Sequence, residues 1–418
     1  MMPSAPARAV AFCKFCASRP QLCVVVLAVV IRSNALLNGV VWDDRAAVTL
    51  NKDVNTTLTP SGNVWRDDYW GQSMALPDSH KSWRPLSTLS FRANFAVHSY
   101  RPGGYHFVNV MLHAWACAMV LKVANLVLDD SGLVAAALFA VHPVHTEAVA
   151  SIVGRADVLC GALTLTAVYA HLRAAAAARR SRGLAWGFAA YACAGSASLA
   201  KEIGISSFGL FFALAVIDAV CKKKSRRSLV AGAAACGLAT LGAAAMFLLH
   251  TARHGETLVY SWTVLENSVA LEPRFLDRAM SYAHLHALYA AKLVWPLRLC
   301  YDYGWPCVAH VTSVGDARNA ASLGLYAGVA VVVAVAVRGR STAALRCVAL
   351  TVVPFLPASQ VALPVGTLLG ERLLYLPSAG LCIAVAGLFR AVDVRTFAPG
   401  AAGPARQRGI RSVVRGRA

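Results

Sequence analysis

The sequence predicts an all-α polytopic membrane protein, and three observations predict it. Of the 418 residues, 57% are hydrophobic and only 14% are charged, with a mean hydropathy of +0.55. A water-soluble domain cannot hide that much apolar surface. The apolar residues fall in runs of roughly 15–24, about the length a helix needs to cross the hydrocarbon core of a bilayer. The 40 Lys and Arg against 20 Asp and Glu give a net charge of +20, and the basic residues cluster between the apolar runs and near the C-terminus. That placement follows the positive-inside rule. No nucleic-acid-binding motif accompanies the charge, so the expected partner is the lipid bilayer and not a nucleic acid.

Residues 1–21 hold Arg8, Lys14 and Arg19 without an acid and read as a cytoplasmic flank. The run Leu22–Val41 is too long for a signal-peptide core and predicts a retained first helix. Arg32, Ser33 and Asn34 interrupt it, so its inner face should meet protein or water. Residues 42–104 form the longest polar segment, the expected first lumenal loop. Asn55-Thr56-Thr57 is a glycosylation sequon, which requires a lumenal location. The loop's Trp65, Tyr69, Trp70 and Trp83 favour an ordered segment along the interface over a disordered linker.

Further spans are expected at Tyr105–Leu128, Leu133–Ala148, Val158–Leu172, Leu184–Leu199, Ile203–Val220 and Leu229–His250. With the N-terminus cytoplasmic, the basic clusters at 173–182 and 222–227 both fall on the cytoplasmic side. Ser281–Leu299, Ala320–Val337, Ala344–Leu356 and Leu373–Val392 complete a bundle of about 10–11 helices. If every run crosses, Arg338 and Arg340 land on the lumenal side. A re-entrant or interfacial helix near 281–300 reverses that, and the sequence leaves both topologies open. Residues 22–393 are thus expected as one transmembrane domain, and 394–418 as a basic disordered tail. Twelve cysteines are scattered, mostly in apolar runs, and read as buried thiols. The Cys13/Cys16 spacing has no second pair and carries no zinc or redox assignment.

The chemistry-bearing residues sit at helix ends on one expected side. They are Asp43-Asp44 in V-W-D-D-R, the segment H-P-V-H-T-E-A-V-A-S-I-V-G-R-A-D at 142–157, and Lys201-Glu202. Glu371-Arg372 joins them in one of the two topologies. Ionisable groups at membrane depth are costly and mark functional sites. Together these groups could line a cavity suited to a lipid-borne phosphate sugar. One carboxylate, Asp43 or Asp44, would act as general base toward an acceptor hydroxyl, an effect worth roughly a hundredfold or more. Arg84, Arg155, Lys201 and Arg372 would steady the departing phosphate. His142, His145 and Glu147 are open to metal binding, hydrogen bonding to substrate or structural capping. Their spacing is not the zincin H-E-x-x-H pattern, so no metal is assigned. For Arg155 with Asp157, and for Lys201 with Glu202, local ion pairing stands beside the substrate-binding reading. His106, Asn109 and His113 are spaced i, i+3, i+7 and mark an inward polar face.

At these residues the chain resembles the transmembrane and TPR repeat-containing proteins, lumenal O-mannosyltransferases with a GT-C type membrane domain. The matching stretches are V-W-D-D-R, S-H-K-S-W-R-P-L-S-T-L-S-F-R, G-Y-H-F-V-N-V-M-L-H-A, H-P-V-H-T-E-A-V with G-R-A-D, L-A-K-E-I-G-I, F-L-P-A-S-Q and E-R-L-L-Y-L-P-S. They run in the family's order from about residue 40 to 390, with 251–318 matching less clearly. The resemblance implies an endoplasmic-reticulum membrane location and a dolichyl-phosphate-mannose donor. It also implies transfer of mannose to Ser or Thr of secretory-pathway proteins, cadherin-type domains among them. It further implies that the candidate catalytic acids of the first lumenal loop map to Asp43 and Asp44. The need for a divalent ion is left open. Family members carry a C-terminal TPR array; this sequence shows none up to Ala418, so acceptor choice is read less directly than the chemistry. A transporter or lipid flippase and a non-catalytic membrane scaffold are the alternatives. The inverted repeats with broken helices typical of transporters are not visible.

Overall fold

The computed structural model describes residues 15–16, 18–55, 63–221, 226–254, 263–301, 303–304 and 307–397. Apart from one isolated bridge, Asp67 to Ser73, the regular structure of these residues is helical, joined by turns and irregular segments. Cys13, Thr56, Thr57 and the expected tail from residue 398 lie outside the described residues, and the last helix runs to Phe397, past the expected boundary at 393.

Helix α1 spans Pro20–Arg32 and tightens into a 3-10 turn over Ser33–Leu37. It stops short of the expected Val41. Arg32 turns inward and donates to the His142 carbonyl at 2.8 Å and to Thr146 Oγ1 at 3.1 Å. The polar interruption therefore meets protein, as an unpaired charge at that depth would be costly. The expected first loop contains a helix, α2 (Pro85–His98). Pro85 at its first position has no N–H to lose and a φ already suited to the helix. Buried Phe91 fixes it against Tyr69 and Tyr105.

Then come α3 (Pro102–Leu128) and α4 (Gly132–Val141), which bends by 55° into residues 143–150, including α5 (Thr146–Ala150). Pro143 cannot continue the α4 ladder. His142 covers the break by accepting from the Val144 N–H at 3.3 Å. The chain continues through α6 (Arg155–Ala175), α7 (Arg180–Ala200), α8 (Ser206–Cys221), α9 (Arg226–His254) and α10 (Phe275–Val294). Last are α11 (Arg318–Arg338), α12 (Thr342–Val352, extended by a 3-10 turn to Ala358) and α13 (Ser378–Phe397). Among the described residues, six helices are long and apolar enough to cross a membrane, seven with the bent pair.

Contacts sort the helix ends into two groups. At one end, His250 meets the Ser198 carbonyl at 3.2 Å, Arg84 meets Glu202 at 3.0 Å, and His142 meets the Leu293 carbonyl at 3.1 Å. At the other, Arg346 pairs with Asp218 at 2.8 Å, and Arg390 donates to the Leu128 and Asp129 carbonyls. The helices α1, α3, α4 with α5, α6, α7, α8, α9, α11, α12 and α13 each connect the two ends.

Helix α10 does not. Both of its ends touch the first group: Asn267, ahead of it, donates to Gln360 at 2.6 Å, the Leu293 carbonyl in its last turn meets His142 at 3.1 Å, and beyond it the Cys300 N–H donates to Glu371 at 2.8 Å. It buries Asp277, Ser281, Tyr282, Leu285, Tyr289 and Leu293, one stripe at helical spacing, and exposes Phe275 and Leu276. That is the pattern of a helix lying along an interface. The interfacial topology is therefore the one adopted, and Arg338 and Arg340 join the 173–182 cluster at the far end. The outward faces of α9 and α11 show Leu241, Leu248, Val331 and Val335.

The core between α3, α4, α6, α8 and α13 is built from Val120, Phe139, Leu165, Leu210 and Ile383, all fully buried. Cys117, Cys160, Cys221, Cys347 and Cys382 are buried as expected, whereas Cys300 and Cys307 are exposed. Asn55 is packed too. Its amide donates to the Tyr100 hydroxyl, so the sequon asparagine is a buried structural residue in this fold.

Candidate active site

The V-W-D-D-R turn lies directly after α1 at the first end. Trp42 has φ +44°, a left-handed value that costs a non-glycine residue about 1 kcal/mol or more. This turn splits the two acids. Asp44 points inward and is fully buried. Its carboxylate accepts from the Val153 N–H at 2.7 Å, Ser151 Oγ at 3.2 Å and the Val41 N–H at 3.3 Å. Burial raises its pKa, and those hydrogen bonds work against the rise. Asp43 points outward and is exposed. With Trp42 and Arg45 it lines an open cleft of about 610 Å³.

A second cavity of about 320 Å³ adjoins it through Val41 and is walled by Glu147, Ser151, Cys300, Tyr301 and Glu371. Arg372 braces this wall. Its N–H donates to Glu147 at 2.8 Å, and its guanidinium lies 3.3 Å from the same carboxylate. Burial alone would lower the Arg372 pKa; the charges of Glu147, Asp157 and Asp43 together outweigh it and raise it. Glu371 is buried and accepts from the Cys300 N–H at 2.8 Å and from the Tyr303 hydroxyl, with Lys292 at 3.8 Å. Apolar side chains join the charged ones in the first cleft: Val40, Val41 and Trp42 line it, and Trp42 is 80% exposed.

The structure thus brings Asp43, Asp44, Glu147, Glu371 and Arg372 together. The remaining candidates lie at the same end but are engaged with one another. Lys201 pairs with Asp157 at 2.6 Å with both side chains buried, and burial, partly opposed by Asp157, lowers the lysine pKa. Arg84 is held by Glu202 and sits over the Tyr69 ring. Arg155 is fully buried and donates to Asn109 Oδ1 at 2.8 Å and to the Tyr105 and Ser90 carbonyls. These residues form a satisfied framework beneath the cleft, because a buried cation is tolerated only with its donors used. His145 is buried and bonds Ser378 at 2.7 Å, while His142 caps the helix break. Neither imidazole is among the cavity's walls. Among the described residues no group of three His, Cys, Asp or Glu is placed to hold a metal ion. The sequence reasoning missed Arg45 and Tyr301. Arg45 adjoins the acids and was available as a signal; nothing local marks Tyr301.

Two solved structures share the architecture. ArnT from Cupriavidus metallidurans superposes with a TM-score of 0.50 at 15% identity, covering 88% of this chain and 60% of that one. The Archaeoglobus fulgidus oligosaccharyltransferase superposes at 0.52 and 13% identity, covering 94% and 52%. The fold is the GT-C type of helical membrane glycosyltransferases. Within that class, the family model described as Protein O-mannosyl-transferase TMTC, DUF1736, matches residues 257–330, largely the stretch whose motifs resemble the family least. Protein O-mannosyl-transferase TMTC4 of Mus musculus is 32% identical over 85% of this chain and 53% of its own length. Protein O-mannosyl-transferase Tmtc3 of Drosophila melanogaster is 31% identical over 90% and 46%. The chain belongs to this TMTC family, and it spans about half the length of the curated relatives it matches.

Proposed function

We propose that the chain is the membrane catalytic domain of a protein O-mannosyltransferase. It would transfer mannose from dolichyl phosphate mannose to a Ser or Thr hydroxyl of a secretory-pathway protein, cadherin-like domains among the acceptors, in the endoplasmic-reticulum membrane. One observation carries the assignment of roles: of two adjacent acids, Asp44 has its carboxylate occupied by the 151–153 segment, whereas Asp43 faces the cleft. Asp43 is therefore the general base. It takes the proton of the acceptor hydroxyl as that oxygen bonds to the sugar's anomeric carbon. The carbon–oxygen bond to phosphate breaks, and dolichyl phosphate leaves with the electron pair. Arg45 on the cleft rim and Arg372 behind Glu147 are the cations nearest the leaving group, where fixed charge in a water-poor site is most effective. Arg84, Arg155 and Lys201 support the site through its framework.

The test uses microsomes bearing the chain, labelled dolichyl phosphate mannose and a cadherin-domain acceptor. Asp43→Asn should insert normally and lose at least about a hundredfold in transfer. Asp44→Asn should lower the yield of folded protein, because it weakens three hydrogen bonds that dock the turn. Full activity in Asp43→Asn would refute the base assignment.

A further inference from the structure

We infer that Tyr301 is the platform on which the donor's hexose ring rests, with Glu371 as the residue that holds it there. This inference rests on the proposed transferase reading and names the part of the site that recognises the sugar.

Tyr301 lies in the segment after α10, far in sequence from the acids, yet it lines the 320 Å³ cavity with Glu147 and Glu371. That volume is at the small end of ligand pockets, roughly 300–1,000 Å³. The side chain is 39% exposed, and no ring stacking or hydrogen bond is formed by it among the described residues. Burial, and then the Asp43 charge, push its hydroxyl pKa up to about 12. It therefore stays a neutral donor close to the proposed base. An amphipathic ring of this kind offers an apolar face and a polar tip. A hexose offers the complement, a C–H face ringed by hydroxyls.

The support beneath it is built. Glu371 accepts from the backbone N–H of Cys300 and from the Tyr303 hydroxyl. Lys292, from the last turn of α10, donates to that same hydroxyl at 2.6 Å and sits 4.4 Å from the Tyr303 ring centroid. The residues on both sides of Tyr301 in space are thus fixed while its own ring is left facing the cavity. Glu371 is a positioning residue here, since its carboxylate is spent on the 300–303 segment.

The experiment measures binding and turnover with the full chain in lipid nanodiscs. Two ligands are compared, labelled dolichyl phosphate mannose and dolichyl phosphate, which lacks the hexose. Tyr301→Ala should weaken donor binding about tenfold and leave dolichyl phosphate binding within twofold of wild type. Tyr301→Phe should stay within about threefold for both, because the ring is kept. Glu371→Gln should shift donor binding in the same sugar-selective sense as Tyr301→Ala, but less. Donor binding within twofold of wild type in Tyr301→Ala, or an equal loss for both ligands, overturns the platform. Sugar-selective loss in a chain that binds donor but transfers no mannose would uphold the platform and sink the transferase reading. A wild-type chain that binds neither ligand would sink both.

Discussion

At the scale of single residues, this end of the molecule is governed by which carboxylates find donors. Asp44 finds three; Asp53, nine residues on, finds none among the described residues, although it is fully buried. Burial first, and then the charge of Asp67, push the Asp53 pKa up to about 6 despite Lys52 and Arg92 nearby. The folded state therefore binds more proton than the unfolded chain between about pH 4 and 6, and stability falls as pH rises through that window. Asp53→Asn should flatten this dependence and stabilise the protein by about 1–2 kcal/mol at pH 7, read as a rise in melting temperature of the detergent-solubilised chain. A lower melting temperature at pH 7 would mean that the carboxylate is held in its charged form. None of this is legible from sequence, where Asp53 is one more polar loop residue. Asp43 and Asp44 look alike there as well. Only the strained Trp42 turn, a tertiary feature, gives them different surroundings.

At the scale of elements, Arg155 shows how α2, α3 and α6 are tied. Its three acceptors among the described residues are neutral and come one from each of Ser90, Tyr105 and Asn109, and its guanidinium lies 4.6 Å from the Phe91 ring centroid. Arg155→Ala should destabilise by about 3–5 kcal/mol, since it orphans buried acceptors and opens a cavity. Arg155→Lys should recover only part, because an ammonium lacks the planar fork. Thermal unfolding followed by size-exclusion fluorescence checks both. Helix positions were legible to within a few residues for most of the long apolar runs, since length and hydropathy decide those. The sequence also put 142–157 and 200–202 on one side with Asp43-Asp44; the first meets Asp44 through Ser151 and Val153, whereas 200–202 reaches Asp157 and Arg84 instead. It could not tell a substrate-binding arginine from a framework one. That distinction depends on whether an acceptor more than forty residues away, such as Asn109 for Arg155 or Glu202 for Arg84, has already claimed the guanidinium.

At the scale of the whole molecule, the flat α10 sets the sidedness of everything after it. The sequence left an interfacial helix near 281–300 open, but hydropathy alone could not show that both flanks of α10 return to one end. With that helix lying along the surface, Cys307 belongs to the same end as the cleft and Gly339 to the opposite one. In sealed microsomes, an impermeant maleimide should label an introduced Gly339→Cys directly and reach Cys307 only after permeabilisation. The reverse pattern would restore the topology in which every run crosses. Trp42, exposed on the wall of the cleft, has a consequence of its own for the proposed donor. A lipid-borne sugar of that kind would reach the cleft with its tail still dissolved among the acyl chains, so what the protein would sense is carriers per unit area of membrane, not molecules per litre of water.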